Sequence, residues 1–365
     1  MAEAEACQRE ALARNPDNET ARFSLARTLQ ESGWIEDSLG CYDDILKRSP
    51  GNPRARWNRA LVLLQLGRFE EGFKAYEARF ARPESPARKF NVPRWDGTPL
   101  DGRAILIHDE QGFGDSLQFA RFVPMAAARG GRVVLECQAP LARLMRSLDG
   151  VSEVIERGAP PPPVEFEAPL LSLPAILGIT RETLPAPRRY LAPPADLVAR
   201  FAPITARAEG TLRVGIAWAG RADQRDDVKR SAGLFPFNEL IGLPGVALFG
   251  LQVGPRAADI GKLGLTGLIA DLSPWLDDFA ATAAAIDTLD LVVSIDSAVA
   301  HLAGALGKPV WLALSSTGDW RYLSKRNDSP WYPGLRIFRQ ARFGDWETVF
   351  RNIAAALEVR DGIDN

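Results

Sequence analysis

The chain has 365 residues, 46% of them hydrophobic and 25% charged, with a net charge of −2 at pH 7. That length admits two or three domains, and the composition is that of an ordinary soluble protein. The near-neutral balance gives no basic footprint for nucleic acid, and no stretch approaches the roughly 18 consecutive apolar residues of a membrane span.

The N-terminal MAEAEACQRE is acidic and lacks an apolar core, so it does not read as a secretory signal. Cys7, Cys41 and Cys137 are widely separated, which fits neither a disulfide framework nor a metal site. A reducing cytoplasm is the expected location. His108 and His301 are the only histidines, so no His-rich metal centre is expected.

Residues 1–80 carry a repeat. Positions 34 apart match: Pro16 and Pro50, Asn18 and Asn52, Ala21 and Ala55, Ala26 and Ala60, Leu29 and Leu63, Gly33 and Gly67, Tyr42 and Tyr76. This period resembles the tetratricopeptide repeat. Small Ala26 and Ala60 suit a helix crossing, and Gly33 and Gly67 suit a left-handed turn between helices. Two complete helix pairs are expected, with residues 3–14 as the second helix of a truncated leading unit. Fewer than three repeats rarely stand alone, so the module should pack on another part of the chain. Two roles stay open for it: presenting a protein partner on a concave surface, or acting as a structural cap.

Residues 81–102 read as a Pro-rich connector in which Trp95 is free to pack on a domain. From Arg103 the pattern alternates between strand and helix. Strands are expected at 104–108, 132–137, 151–155 and 166–171, and helices at 116–129 and 141–148. A Pro-rich crossing at 178–211 holds one helix near 195–207. A second set follows, with strands at 212–218 and near 246–251, 267–270, 290–295 and 309–314, and a last helix at 345–357. The fold class is α/β: two Rossmann-like domains, 103–195 on the acceptor side and 196–365 on the donor side, after an all-α repeat module.

Three loops at carboxyl strand ends carry the candidate chemistry. In the first, His108-Asp-Glu-Gln-Gly-Phe-Gly-Asp115, Gly112 and Gly114 allow a ligand close to the backbone. The third glycine of a dinucleotide fingerprint is absent, which argues against NAD. Asp115 reads as either a helix N-cap or a general base, and His108 is the rival base. The second loop runs from Gly220 to Ser231. Its cations Arg221, Arg225, Lys229 and Arg230 suit a leaving diphosphate, and Asp223, Asp226 and Asp227 offset them. Arg230 and Ser231 are the better candidates. In the third, DSAVAHLAGALGKPVW, Asp296 and Ser297 cap a helix whose N-terminus suits an anion. His301 reads either as a core histidine bonded to a carbonyl or as a donor to a phosphate or sugar.

With these loops placed, the chain resembles the bacterial glycosyltransferases of the two-Rossmann GT-B type that carry N-terminal tetratricopeptide repeats. It is also similar to the heptosyltransferase family (glycosyltransferase family 9) and, more distantly, to O-linked GlcNAc transferases. EQGFGDSLQFARFVP (110–124), VGIAWAG (214–220), Lys229-Arg-Ser231, Gly250-Leu-Gln252, the 296–311 stretch, Asp319-Trp-Arg321 and Ser329-Pro-Trp-Tyr-Pro333 carry the likeness. Ser315-Ser-Thr-Gly318 departs from it, where a more apolar, Pro-containing loop is expected.

The resemblance implies an inverting, metal-independent transfer of a sugar from a nucleotide-sugar to a hydroxyl, with no cofactor. It implies Asp115 or His108 as base. Lys229, Arg230, Ser231, Gln252, Asp296, Ser297, His301 and Asp319 would hold the donor, with Gly112, Gly114 and Gly220 shaping the loops. A protein such as flagellin, presented by the repeats, is the expected acceptor. A heptose-like transferase acting on a saccharide or lipid, a sugar-nucleotide epimerase and a non-catalytic repeat scaffold are the alternatives.

Overall fold

The computed structural model describes residues 2–82, 87–208, 210–221, 227–324 and 326–359. Its contacts divide into two compact units, and neither is continuous in sequence. The first comprises Met1–Asn91, Ser172–Leu184 and Asp319–Arg326; the second comprises Val92–Leu171, Pro185–Gly318 and Asn327–Asn365. The sequence suggests consecutive blocks, whereas two later segments return to the repeats.

In the first unit the repeat helices are α1 (Ala2–Arg14), α2 (Glu19–Glu31), α3 (Ile35–Arg48), α4 (Pro53–Gln65) and α5 (Phe69–Tyr76). The 34-residue spacing places equivalent residues in equivalent jobs. Asn18 caps α2 by accepting from the Ala21 N–H at 3.0 Å, and Asn52 caps α4 by accepting from the Ala55 N–H at 2.9 Å. Gly33 and Gly67 turn between paired helices at φ +82° and +75°, where a Cβ would be strained. Ala26, Ala60, Tyr42 and Tyr76 are all buried. Asn52→Ala is expected to cost about 1 kcal/mol, read as a lower urea midpoint; an unchanged midpoint would show that the cap contributes nothing.

The returning segments explain how two helix pairs stay folded. Arg79, just past α5, is buried, and its guanidinium donates to Glu77 Oε1 and Ser172 Oγ, both at 2.6 Å. A 3-10 turn at Trp320–Tyr322 brings the Trp320 ring to 6.3 Å from Phe73 and 6.1 Å from Tyr76, centroid to centroid. A terminal repeat needs its open face covered, and here the chain covers it with its own residues. The same unit holds α9 (Leu173–Ile176).

The second unit contains two parallel sheets. One has the order β3-β2-β1-β4, from β1 (Ala104–His108), β2 (Arg132–Cys137), β3 (Val151–Glu156) and β4 (Phe166–Pro169). The other has the order β10-β9-β8-β5-β6-β7, from β5 (Leu212–Ala217), β6 (Val246–Gly250), β7 (Ile269–Asp271), β8 (Leu291–Ile295), β9 (Val310–Leu314) and β10 (Leu335–Arg339). Central strands β1, β8 and β9 are buried along their whole length, as strands covered on both faces must be.

The helices of this unit are α6 (Phe113–Phe119), α7 (Val123–Ala127), α8 (Ala139–Met145), α10 (Ala195–Thr205), α11 (Asp227–Arg230), α12 (Asp259–Lys262), α13 (Phe279–Asp287), α14 (Ala298–Ala305) and α15 (Trp346–Glu358). The core of the second sheet joins Val214, Ile216, Leu291, Val293 and Trp311 to Phe350 and Ile353 of α15.

Several expectations are corrected. The single helix expected over 116–129 is α6, a 3-10 turn at Ala120–Phe122 and α7, because Pro124 at the start of α7 cannot donate to the preceding turn. The strand expected to reach Leu171 stops at Pro169. Strand β10 was not expected, since Arg336 and Arg339 break its apolar run. Trp95, by contrast, is packed as its sequence reading allowed: it is buried and donates its indole N–H to the Thr98 carbonyl at 2.9 Å. No helix among the described residues is long and apolar enough to cross a membrane.

Candidate functional site

In the second sheet the strand order reverses between β5 and β8, and ligands of open α/β sheets bind at such a switch point, beyond the strands' carboxyl ends. These two strands run side by side, with Ala217 opposite Ser294. Two of the three loops singled out in the sequence therefore emerge next to each other. Gln252, after β6, braces the first of them: its Oε1 accepts from the Trp218 N–H at 3.1 Å and the Ala219 N–H at 2.9 Å. Its Nε2 donates to the Val253 carbonyl at 3.2 Å. The structure thus uses the Gln252 amide on backbone, where the resemblance implies a donor contact.

Gly220 N–H donates to Ser231 Oγ at 3.0 Å, Ser231 Oγ donates to Asp227 Oδ1 at 2.9 Å, and Arg230 Nε lies 3.3 Å from the same oxygen. Asp227 is buried. A Cβ on Gly220 would stand 2.5 Å from Arg230 Nη2, so glycine gives the guanidinium its place. Asp227 therefore orients Arg230, whose side chain stays 28% exposed, rather than merely offsetting charge in solvent. Lys229 and Arg221 are exposed. Asp223, Arg225 and Asp226 lie outside the described residues.

Beyond β8, Ser297 occupies the cap position of α14 with an extended backbone, but makes no side-chain cap. Its hydroxyl instead lies 3.0 Å from Ser294 Oγ. Asp296 Oδ1 is 3.9 Å from His301 Nε2. His301 is buried, and its Nδ1 is 3.0 Å from the Tyr332 hydroxyl, so a phenol faces this nitrogen. Burial and then the neighbouring Tyr190 hold the Tyr332 hydroxyl well above the ordinary phenol range, which keeps it protonated.

The loop from His108 to Asp115 meets this helix. A Cβ on Gly114 would lie 2.9 Å from His301 Cδ2 and 3.7 Å from the Ala298 Cα. Gly112 stands at the N-cap of α6, and Asp115 is its third residue, not its cap. The Asp115 carboxylate reaches back to accept from the Gly112 N–H at 2.9 Å and is half-buried. Gly114→Ala is expected to displace the His301 ring and to cost about 1–3 kcal/mol, read as a lower urea midpoint; an unchanged midpoint would show that the ring has room to yield.

The other candidates lie elsewhere. His108 is buried at the end of β1, with Nε2 2.9 Å from Glu167 Oε2 on β4. Asp319 belongs to the repeat-bearing unit, where it accepts from the Arg321 N–H at 3.0 Å and pairs with Arg321 Nη1 at 2.8 Å. Among the described residues, no three or more His, Cys, Asp or Glu side chains are grouped to hold a metal ion.

Sequence reasoning gave no role to Arg121, Tyr190 or Tyr332. Arg121 is buried and donates to the Trp331 carbonyl at 2.5 Å, the Pro185 carbonyl at 3.2 Å and the Tyr190 hydroxyl at 3.2 Å. Its guanidinium sits 4.6 Å from the Tyr332 ring centroid. The available signal was an arginine inside the apolar run LQFARFVPM.

The tetratricopeptide repeat family matches residues 24–86. Protein FlbA of Caulobacter vibrioides is 30% identical over 313 residues, covering 78% of this chain and 51% of FlbA. The chain thus spans about half the length of that relative. Among solved structures, a glycosyltransferase family 9 protein from Veillonella parvula is 10% identical and aligns with a TM-score of 0.50, over 73% of this chain and 91% of that one. The ADP-heptose LPS heptosyltransferase II of E. coli is 12% identical, with a TM-score of 0.49, over 71% of this chain and 98% of that one. Residues 24–86 are thus similar to tetratricopeptide repeats, and the two parallel sheets share the fold of the family 9 glycosyltransferase structure.

Proposed function

We propose that this chain moves a sugar from a nucleotide-sugar to a hydroxyl acceptor, with inversion and without a metal or other cofactor. The observation that carries the reading is the approach of Gly114 to His301: it brings the loop bearing Asp115 against the first turn of α14, beside the switch point of the second sheet. Asp115 takes the proton of the acceptor hydroxyl. The oxygen attacks the anomeric carbon opposite the nucleotide, and the bond to the diphosphate breaks. Arg230, His301, Ser297 and the N–H groups of α14 receive the departing charge. Asp115 is preferred to His108 because His108 is buried against Glu167. The free thiols Cys7, Cys41 and Cys137 suit a reducing cytoplasm.

The acceptor in this reading is a protein, such as flagellin, held by the repeats. One observation favours a saccharide or lipid acceptor instead. The chain's own Trp320 lies against Phe73 and Tyr76 of the last repeat, as in a module that serves as a cap.

A thermal-shift screen of the full chain against UDP-, ADP-, GDP- and CMP-sugars tests the donor site. A hundredfold excess over Kd adds about 2.7 kcal/mol of stability. One nucleotide class should shift the melt, with or without EDTA, and Arg230→Ala and His301→Ala should abolish the shift. A folded chain that responds to none of them would move the assignment to a non-catalytic scaffold. With the donor known, labelled sugar appearing on flagellin or on a lipid-linked saccharide separates the two acceptors.

A further inference from the structure

We propose that Tyr332, held by Arg121, is a positioning residue that fixes His301 as its Nε2–H tautomer. The ring then presents an N–H donor, not a lone pair, on the side that faces Asp296 and Gly114. The purpose of that donor rests on the diphosphate site proposed above.

The tautomer follows from the protons around one phenol. The Tyr332 hydroxyl lies 3.0 Å from His301 Nδ1, and the Arg121 guanidinium sits 4.6 Å from the centroid of the Tyr332 ring. Tyr190 has a single O–H, and that donates to the Leu117 carbonyl at 2.9 Å. Tyr190 therefore has none for Tyr332, and its oxygen already accepts from Arg121 Nη2 at 3.2 Å. His301 Nδ1 lies within hydrogen-bond distance of the Tyr332 hydroxyl, so a lone pair there takes the buried phenol proton, which an Nδ1–H would leave without an acceptor among the described residues.

The other side of the ring agrees. Nε2 lies 3.9 Å from Asp296 Oδ1, and a Cβ built on Gly114 would be 3.7 Å from it. A lone pair facing a carboxylate would be repelled, whereas an N–H is attracted. Packing keeps the phenol in place: a Cβ on Gly304 of α14 would stand 2.6 Å from Tyr332 Cγ, so the glycine admits the ring edge.

The test uses the fact that the chain has only two histidines. Ring 15N resonances of the full-length protein form two sets, and the His301→Ala spectrum assigns them by subtraction. Wild-type His301 is expected to show a bare Nδ1 and a protonated Nε2. Tyr332→Phe is expected to shift it towards the Nδ1–H form and to raise the Kd of the best binder among ADP, GDP, UDP and CDP about tenfold. An Nδ1–H or doubly protonated His301 in the wild type overturns the proposal, as does an unchanged tautomer in Tyr332→Phe. A changed tautomer with unchanged Kd breaks the link to donor binding. If none of the four nucleotides binds the wild type, the donor site fails, while the ring spectrum still decides what Tyr332 does.

Discussion

Asp115→Asn is expected to lower kcat for sugar transfer by about three orders of magnitude while leaving nucleotide affinity nearly unchanged. The choice of asparagine matters, because the proposed base also shapes its own loop. Its carboxylate accepts from the Gly112 N–H at 2.9 Å, which shapes the first turn of α6 and the glycine loop. The asparagine side-chain oxygen accepts the same hydrogen bond, so the loop keeps its shape. What asparagine lacks is the basicity to take a proton. Asp115→Ala removes both functions and should also destabilise the chain by about 1 kcal/mol. A loss of turnover in both variants, with a lowered melting point only in Ala, identifies the base. Turnover kept in Asn but lost in Ala would reduce Asp115 to a loop residue. His108→Gln provides the contrast: it disturbs the buried contact with Glu167, so the effect should fall on stability more than on kcat.

The parts of the molecule that were legible in the sequence are those in which one short segment carries its own signal. Pro, Asn and Gly recurring at 34-residue spacing encode caps and turns, and Asn18, Asn52, Gly33 and Gly67 perform those functions. Apolar runs ending in Gly, Ser or Asp mark strand ends, and the Gly112–Asp115, Gly220–Ser231 and Asp296–His301 loops all lie at such ends. The illegible parts depend on partners distant in the chain. Arg121 and Trp331 are 210 residues apart, and no periodicity relates them. The same holds for Trp320: its motif suggests a donor loop, but its ring lies against Phe73 and Tyr76. Gln252 shows a subtler limit. An amide after a strand has the right chemistry for a ligand, yet the turn at Trp218 and Ala219 claims its oxygen. Strand β10 was hidden by Arg336, whose guanidinium lies over the Trp311 and Phe338 rings, 5.6 and 4.8 Å from their centroids, so a charged residue counts as part of an apolar surface.

Arg121→Met should be among the most destabilising single changes in the second unit, costing about 3 kcal/mol or more in urea unfolding. The methionine fills most of the volume, so the loss reports hydrogen bonds rather than a cavity. It strands the carbonyls of Trp331, Pro185 and Gln118 and the Tyr190 oxygen, all of which accept from this one guanidinium. Each buried acceptor left unpaired costs about 1–3 kcal/mol. Relaxation recovers part of the sum, which sets the estimate near its lower end. No carboxylate pairs with Arg121 among the described residues; its charge is shared between those oxygens and the faces of Tyr190, Trp331 and Tyr332. Arg121→Lys keeps the charge but not the planar fork, so it cannot serve all four acceptors and should recover only part of the loss. Full recovery by lysine would mean that charge alone matters there. A loss below about 0.5 kcal/mol in Arg121→Met, the level of an ordinary surface change, would mean that the four oxygens find other donors. If the full loss is seen, the cation that steadies Tyr332 is also a principal tie between the residues after α6 and those before β10. The donor binding proposed for His301 then depends on the integrity of that junction.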